Sequence, residues 1–147
     1  MSDDNFDIEK LEFGKELNGI KCLNLSELRL LLEDRMRTYP SGSDEAHTLI
    51  KSAYDYSYKF GKIKNRASVM LIREALDETT KLHEFEIASL VNLLPRTPDE
   101  AKVSMKPFYL HKNSNFIQSL IPSLSRLPND HIERIIINLE SHRTYST

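Results

Sequence analysis

The chain has 147 residues, of which 39% are hydrophobic and 29% charged, a composition typical of a folded, soluble domain rather than of a disordered chain. Its 20 basic and 22 acidic side chains nearly cancel, which argues against a protein held on nucleic acid by bulk charge but allows a local basic patch. A single cysteine, an acidic start and the absence of a long apolar run argue against an internal disulfide, a secretory signal and a membrane helix. We therefore expect a soluble protein of a reducing intracellular compartment.

The N-terminal arm, residues 1–23, carries few helix signals, and Gly14 and Gly19 interrupt any long helix. Its charged background contains four separated apolar side chains: Phe6, Ile8, Leu11 and Phe13. A segment of this kind cannot bury its apolar side chains by itself, so it either lies across its own domain or is held by a partner. We predict that these four residues bind a partner protein.

A helical domain is predicted over residues 24–147, and its first helix begins at Asn24. Asn24 and Glu27 have the spacing of a capping box, in which each side chain accepts a hydrogen bond from the other residue's backbone N–H group. An apolar stripe follows at helical spacing: Leu25, Leu28, Leu32 and Met36. Residues 39–43, which include a proline and a glycine, end this helix.

A second helix is predicted over about residues 44–60. Its inward stripe is expected to contain four residues: Leu49, Ala53, Tyr56 and Phe60. The alternation of aromatic residues at positions 54, 56, 58 and 60 is also compatible with a strand. The length of the segment and its Asp-Glu-Ala-His start favour the helix.

The next two helices are predicted over about residues 66–79 and 83–94. The first of them has an inward apolar stripe: Val69, Ile72 and Leu76. The second stops at Pro95, because the residue before a proline disfavours helical backbone angles.

A fifth helix is predicted to begin with a capping Thr97, a proline in the first position and Glu100 as the capping-box glutamate. The last helix, over about residues 129–142, has four branched side chains on one face: Ile132, Ile135, Ile136 and Leu139. No strand signal competes in the middle of the chain. The predicted class is therefore all-α, a helical bundle with an extended N-terminal arm.

No set of residues predicts catalysis or a bound metal. The five histidines have no i, i+4 partner and there is no second cysteine, so we expect no zinc site, only exposed helix histidines: His47, His83, His111, His131 and His142. The four glycines are scattered, which excludes a glycine-rich phosphate loop. Glu84 and Glu86 diverge on a helix and do not form a paired acid and base. We predict no cofactor and no enzymatic activity.

One basic patch stands out, because the chain has no acidic residue between Asp55 and Glu74. Five cations lie in this interval: Lys59, Lys62, Lys64, Arg66 and Arg73. Aromatic residues at positions 56, 58 and 60 lie beside them, so the patch could contact RNA or an acidic protein surface. The alternative is a solvated helix end, since lysines near a helix C-terminus are favoured by its dipole.

Several segments of the chain resemble, in their order and spacing, the sequence of the smaller, mostly helical stalk subunit of eukaryotic RNA polymerase II. These segments are residues 59–66, 81–95, 97–102 and 120–124. In the arm, four residues resemble the N-terminal pattern of that family: Asp7, Leu11, Gly14 and Glu16. Leu17 departs from the pattern, because an aromatic residue is usual there. The family comprises the fourth subunit of the enzyme and has a relative in the stalk of the archaeal polymerase.

The resemblance implies an HRDC-like fold, similar to the helicase-and-RNase-D C-terminal domain, in a subunit without catalysis or cofactor. It also implies a tight heterodimer with the larger stalk subunit, which carries the RNA-binding barrel. The pair is expected to dock on the polymerase II core beside the clamp and the RNA exit, near nascent RNA, and to support initiation. The expected location is the nucleus, with the cytoplasm as an additional one. The alternatives are the stalk subunit of another nuclear polymerase and a free-standing RNA-binding helical module.

Residues 103–118 depart from the family pattern, in which Asp-Glu-Ala-Lys runs almost directly into Leu-Ile-Pro-Ser-Leu. The intervening segment contains no acidic residue, and Pro107 would break any helix that it interrupts. It is either a retained intron that keeps the reading frame or a genuine loop insertion, which is thermodynamically tolerable. Transcript sequences across codons 102–119 distinguish the two, because the intron hypothesis requires transcripts that lack the segment.

Overall fold

The computed structural model describes residues 10–17, 19–38, 45–78, 82–102 and 122–144. Within these ranges the chain forms six α-helices: α1 (Leu25–Thr38), α2 (Glu45–Phe60), α3 (Arg66–Glu78), α4 (Glu84–Leu93), α5 (Pro98–Lys102) and α6 (Asn129–Thr144). Two short 3-10 turns, Lys15–Leu17 and Pro122–Arg126, precede α1 and α6. The predicted all-α class is confirmed, and each predicted helix is present with ends within about two residues of those expected.

The capping box predicted for α1 is confirmed. Asn24 Oδ1 accepts a hydrogen bond from Glu27 N at 3.0 Å, and Glu27 Oε2 accepts one from Asn24 N at 2.9 Å. The start of the helix is also tied to α4, because Leu25 N donates to Asn92 Oδ1 at 2.8 Å. These bonds satisfy backbone donors that the first turn of a helix leaves without intrahelical partners.

The side of α1 that is buried most deeply is partly polar. The predicted apolar stripe is only half-buried, whereas Ser26, Arg29 and Leu30 are buried. Ser26 Oγ accepts a hydrogen bond from Ile63 N at 3.1 Å, and Arg29 Nη2 donates to Lys64 O at 2.8 Å. Both side chains therefore form hydrogen bonds with backbone groups of the loop between α2 and α3. A search for apolar periodicity does not detect such polar contacts.

The stripe predicted to face inward from α2 is wrong, although the helix itself is correct. Leu49 is 71% exposed, Tyr56 and Phe60 are also exposed, and Ala53 is half-buried. The buried and half-buried positions of the helix include Ile50, Ala53, Tyr54 and Ser57. α2 packs chiefly on α1, so its exposed aromatic side chains form a surface rather than a core.

Small residues explain this orientation of α2. Ser57 and Gly61 are buried, and a Cβ atom added to Gly61 would lie 2.6 Å from Ser57 O and 3.3 Å from Ser26 N. Only glycine at this position leaves room both for the Ser57 carbonyl oxygen at the end of α2 and for the backbone of α1 at Ser26. The packing of α2 is therefore decided by residues that contribute almost nothing to an apolar pattern.

The apolar core lies among α3, α4 and α6, with contributions from α1, α5 and the segments that flank the helices. The inward stripe predicted for α3 is confirmed, and the four residues predicted to share one face of α6 are buried. All seven side chains are at most 6% exposed: Val69, Ile72, Leu76, Ile132, Ile135, Ile136 and Leu139. α4 adds the buried Ile87, Leu90 and Val91 to the same cluster. Continuous burial of branched side chains supplies the main stabilisation of such a bundle.

The helix ends next to the core follow local signals. His83 caps α4, because its Nδ1 accepts a hydrogen bond from Phe85 N at 3.1 Å, and Leu94 ends this helix with a positive φ of 46° directly before Pro95. At α5, Thr97 Oγ1 accepts from Glu100 N at 3.1 Å as predicted. The Glu100 carboxylate accepts a hydrogen bond from Arg96 N at 2.8 Å. In the expected capping box it would accept one from the N–H group of Thr97 instead.

Lys102 joins the end of α5 to the start of α6. Its Nζ donates hydrogen bonds to Leu127 O at 2.9 Å and to Asn129 Oδ1 at 2.7 Å. The predicted insertion, residues 103–118, lies between these points in the sequence and outside the described residues. The two segments that flank it are thus held side by side.

Candidate partner-binding and basic surfaces

The described part of the N-terminal arm contacts the arm's own domain. The Phe13 ring lies 5.4 Å from the ring of His83 and 5.1 Å from that of Phe85, centroid to centroid. Leu11 is half-buried and has a φ of 60°. Phe6 and Ile8, the other two predicted partner contacts, lie outside the described residues. Whether these four residues bind a partner stays a prediction.

The arm is fastened to the helices at Cys22. Its backbone N–H group donates to Glu84 Oε2 at 3.2 Å, and its carbonyl oxygen accepts from Arg73 Nη2 at 2.6 Å. One residue earlier, Lys21 Nζ lies 3.8 Å from Asp77 Oδ2. The arm therefore approaches α1 along α3 and the start of α4.

Arg73 is the centre of a partly buried ion-pair network. Its Nε lies 2.6 Å from Glu27 Oε1 and its Nη1 lies 2.9 Å from Glu84 Oε2, so one guanidinium joins α1, α3 and α4. The hydrogen bonds and charges of these two glutamates, Glu27 first, raise the pKa of Arg73 above its usual range against the opposing effect of burial. Arg73 was grouped with the basic patch from the sequence, and the structure places it apart from the patch lysines.

An apolar groove runs between α1 and α3 next to this network. Its volume is about 750 Å³, and its walls are mainly apolar: Leu23, Leu30, Leu31, Val69 and Met70. Leu31 is 54% exposed and Met70 is 65% exposed, so the groove presents apolar side chains to solvent. Its polar end carries three acids and one arginine: Glu27, Glu74, Asp77 and Arg73.

A second concave surface, the basic cleft, lies where the C-terminal ends of α2, α4 and α6 meet. It has a volume of about 530 Å³ and five cationic residues in its lining: Lys59, Lys62, Lys64, Arg96 and Arg143. Phe60, Gly61 and Leu94 complete it. The structure thus brings together three of the five predicted patch residues and adds two arginines. Arg96 and Arg143 were missed because they come from segments far away in the sequence.

Three cations of the basic cleft donate hydrogen bonds to carbonyl oxygens near helix ends. Lys62 Nζ donates to Leu93 O at 2.8 Å, and Arg143 Nη2 donates to Leu94 O at 2.8 Å. Lys64 Nζ donates to Tyr58 O near the end of α2. Cations are favoured at helix C-termini, where carbonyl groups lack intrahelical donors. The alternative interpretation of the basic patch, a solvated helix end favoured by the helix dipole, therefore accounts for part of the contacts of these lysines.

Arg66, the remaining predicted patch residue, is paired with an acid. Its Nη2 lies 2.8 Å from Asp34 Oδ1 and its Nη1 donates to Asp34 Oδ2 at 3.3 Å. The hydrogen bond from Arg66 holds the pKa of Asp34 below its usual range, and Asp34 in turn raises the pKa of Arg66. Arg66 does not line the basic cleft.

The carboxylate of Glu86 links α4 to the turn before α6, a structural role that the sequence does not predict. Glu86 is fully buried, and Ser123 Oγ donates to its Oε1 at 2.5 Å while Arg126 Nη2 donates to its Oε2 at 2.9 Å. Burial disfavours the charged carboxylate, but the hydrogen bonds from Arg126, Ser123 and His83 N outweigh it and hold the pKa of Glu86 below its usual range. The arrangement is structural, since each oxygen is engaged by a neighbour from the same domain.

Metal-binding clusters and membrane-spanning helices are both absent from the described part of the chain. Across the described ranges, no group of three or more histidine, cysteine, aspartate and glutamate side chains is placed to hold a metal ion. The helices described above are all too short or too polar to cross a bilayer. The four histidines in these ranges are half-buried rather than exposed, which corrects the expectation, and His111 lies outside them.

Comparison with known proteins decides the family. Residues 22–143 match the family model described as RNA polymerase Rpb4. The chain belongs to this family. The matched span contains every residue of the groove and of the basic cleft, whereas Leu11 and Phe13 precede it. The Rpb4 assignment confirms the predicted resemblance and identifies an accessory polymerase subunit rather than an enzyme.

Two curated relatives agree with the Rpb4 assignment. The chain is 32% identical to a protein of Dictyostelium discoideum named DNA-directed RNA polymerase II subunit rpb4, over 95% of this chain and 90% of the relative. It is also 32% identical to DNA-directed RNA polymerase II subunit 4 of Arabidopsis thaliana, over 67% of this chain and 72% of that protein.

Proposed function

We propose that this Rpb4-type protein pairs with the larger stalk subunit of RNA polymerase II in a stalk heterodimer. The heterodimer docks on the polymerase core near the clamp and the RNA exit and supports transcription initiation in the nucleus. The names of both relatives favour polymerase II over another nuclear polymerase. The Rpb4-type protein contributes binding surfaces and no chemistry to the enzyme.

The observation that carries this proposal is the apolar groove. Leu23, Leu31 and Met70 are exposed there, although the chain buries a continuous core elsewhere. A protein that acts by assembly needs an apolar centre that a partner covers and a polar rim that fixes orientation. The rim here contains Glu74, which makes no ion pair with any described residue, so we expect a basic residue of the partner opposite it.

The double variant Leu31→Gln/Met70→Gln tests the groove. Each change places a polar amide where the proposed partner would bury an apolar side chain, and burying such a side chain contributes about 1.5–3 kcal/mol. We expect heterodimer affinity to fall roughly 100-fold or more, since two such contributions are lost. The measurement is co-purification and calorimetric titration with the larger stalk subunit.

A matched control changes the same kind of side chain elsewhere. Leu49 and Ile137 are 71% and 63% exposed and line neither the groove nor the basic cleft. Leu49→Gln/Ile137→Gln should bind the larger stalk protein as the parent does. If the groove variant binds normally, or if only the control loses binding, the groove is not the interface.

The N-terminal arm is the second anchor of the proposed heterodimer, and Leu11→Asp/Phe13→Asp tests it in the same assay. These changes should abolish pairing while leaving helicity nearly intact, because the described arm contains only one short 3-10 turn. Circular dichroism serves as the folding control. Unchanged pairing would remove the arm, with its predicted contacts Phe6, Ile8, Leu11 and Phe13, from the interface.

A further inference from the structure

A third concave surface, the α3–α6 pocket, lies where these two helices pack against each other. Its volume is about 160 Å³, close to that of an engineered cavity of about 150 Å³ that holds a benzene ring. Six residues line it, two from α3 and four from α6: Ala75, Leu76, His131, Arg134, Ile135 and Asn138. The pocket shares no lining residue with the groove or the basic cleft, so it is independent of the surface proposed for the stalk heterodimer.

Two polar atoms in this pocket are buried without a hydrogen-bond partner. Among the described residues, three buried side-chain nitrogen or oxygen atoms lack a partner, and two of the three are His131 Nε2 and Asn138 Oδ1. Folded proteins pair the great majority of such atoms, because an unpaired buried donor or acceptor is costly. Their concentration in one small pocket indicates a ligand that supplies both partners.

Arg134 adds a cation between these two atoms. Its side chain is exposed and makes no hydrogen bond or ion pair with any described residue. It lies three residues after His131 and four before Asn138, so the three polar side chains follow one another along a single face of α6. The opposite wall of the pocket, formed by Ala75 and Leu76 of α3, is apolar.

The spacing of these groups restricts the shape of the ligand. The rise of an α-helix places positions 131 and 138 about 10 Å apart along α6. One hydroxyl group cannot reach both positions, because each hydrogen bond spans only about 2.9 Å. The ligand therefore needs an acidic acceptor for His131 and Arg134, a separate donor for Asn138, and an apolar group for the opposite wall.

We propose that the α3–α6 pocket binds the free C-terminus of a polypeptide whose last residue is apolar. The terminal carboxylate accepts hydrogen bonds from the Nε2–H group of His131, in the first turn of α6, and from the Arg134 guanidinium. The N–H group of the last residue donates to Asn138 Oδ1, and its side chain packs on Leu76 and Ile135. An internal aspartate or glutamate offers a carboxylate without an adjacent apolar side chain, which is why a C-terminus is favoured.

The test is an NMR titration of the isotope-labelled full-length chain with an acetylated tripeptide that ends in leucine. The largest shift changes should occur at the pocket residues of α3 and α6, and they should saturate in the millimolar range or below, as expected for a ligand of this size. The same tripeptide with an amidated C-terminus should bind at least about tenfold more weakly, because it cannot form the charge-assisted hydrogen bonds.

The variant Arg134→Gln tests the contact with the carboxylate. It should lower the affinity for the free tripeptide about tenfold and should hardly change that for the amidated one, because only the free form carries the charge that Arg134 binds. Arg37→Gln removes the same charge from an exposed side chain that does not line the pocket, and it should bind as the parent does.

Asn138→Leu tests the unpaired acceptor while preserving the size of the side chain. The affinity for the free tripeptide should fall roughly fivefold, since one hydrogen bond is lost. The urea midpoint should stay the same or rise, because apolar atoms replace a buried acceptor that has no partner in the fold. An asparagine with a purely structural role would give a lower midpoint instead.

Four results would overturn the proposal. Equal affinity for the free and the amidated tripeptide would show that the pocket does not recognise the terminal carboxylate. Unchanged affinity in both Arg134→Gln and Asn138→Leu would place the peptide elsewhere, and the absence of shift changes at the pocket with millimolar peptide would exclude the site. Tighter binding of an amidated tripeptide with an internal aspartate would assign the pocket to an acidic side chain.

Discussion

Two charged side chains that lie largely away from water, Arg73 and Glu86, are neutralised by partners from distant segments. Arg73 of α3 is held by Glu27 and Glu84, and Glu86 of α4 is held by Arg126 and Ser123. Removing one member of a buried pair leaves the other charge unpaired, which is more costly than the pair itself is stabilising. Sequence reasoning treated Arg73 as a surface cation, because nothing local shows that two glutamates converge on it.

Glu86 makes stability depend on pH. Its native pKa lies below the ordinary value of 4.5, so the unfolded chain binds more protons than the native one in the interval between them. The stabilisation that the charged Glu86 carboxylate contributes is therefore complete above about pH 4.5 and is lost as the pH falls through its native pKa. Glu86→Gln should lower the free energy of unfolding near neutral pH by about 2 kcal/mol and should remove this decline.

Urea unfolding followed by circular dichroism from about pH 7 to about pH 3 measures both effects. Glu133→Gln removes a carboxylate from the exposed side of α6 and should follow the parent curve. A Glu86→Gln curve parallel to the parent's would show that the Arg126 and Ser123 contacts do not hold the carboxylate in its charged form.

The sequence predicts the ends of the helices well, but it does not always predict which face of a helix points into the core. The ends are encoded by neighbours in sequence, as in the Asn24–Glu27 capping box and the stop at Pro95. In α3 and α6 the predicted apolar stripes are buried, although Met70, Leu71 and Ile137 of the same helices are exposed. α2 has apolar side chains on more than one side, and its contact with α1 is made where Ser57 and Gly61 are small.

Gly61→Ala tests this account of α2. The added Cβ would lie 2.6 Å from the Ser57 carbonyl oxygen of α2 itself and 3.3 Å from Ser26 N and Oγ of α1, so the end of α2 must distort and its contact with α1 must loosen. We expect a loss of about 1–3 kcal/mol in the free energy of unfolding, the usual range for overpacking. Ser52→Ala, on the exposed side of the same helix, should leave the urea midpoint nearly unchanged. An unchanged midpoint for Gly61→Ala would contradict the close approach.

At the scale of the whole molecule, the groove and the basic cleft use different helices. α1 and α3 form the groove, whereas the cleft is assembled from the segment after α2, the end of α4 and the end of α6. Part of the cleft's charge could be read from the sequence, because Lys59, Lys62 and Lys64 lie together in it. The contribution of Arg96 and Arg143 depends on how α4 and α6 pack, which no single segment encodes.

Separate surfaces predict separable defects. Lys59→Gln/Arg96→Gln should retain heterodimer formation within about twofold, since both residues line the basic cleft and neither lines the groove. Calorimetric titration of this variant with the larger stalk subunit measures its affinity, and a loss of pairing would show that the two surfaces are coupled.

Lys102 makes the chain a convenient scaffold for insertion. Because its ammonium group bonds to Leu127 and Asn129, the two ends of the intervening segment are fixed by contacts that do not involve that segment. Closing a longer connection between fixed ends costs only about 0.6 kcal/mol for each doubling of length. A fluorescent reporter or an affinity peptide placed between residues 103 and 118 should therefore leave the groove and the basic cleft intact.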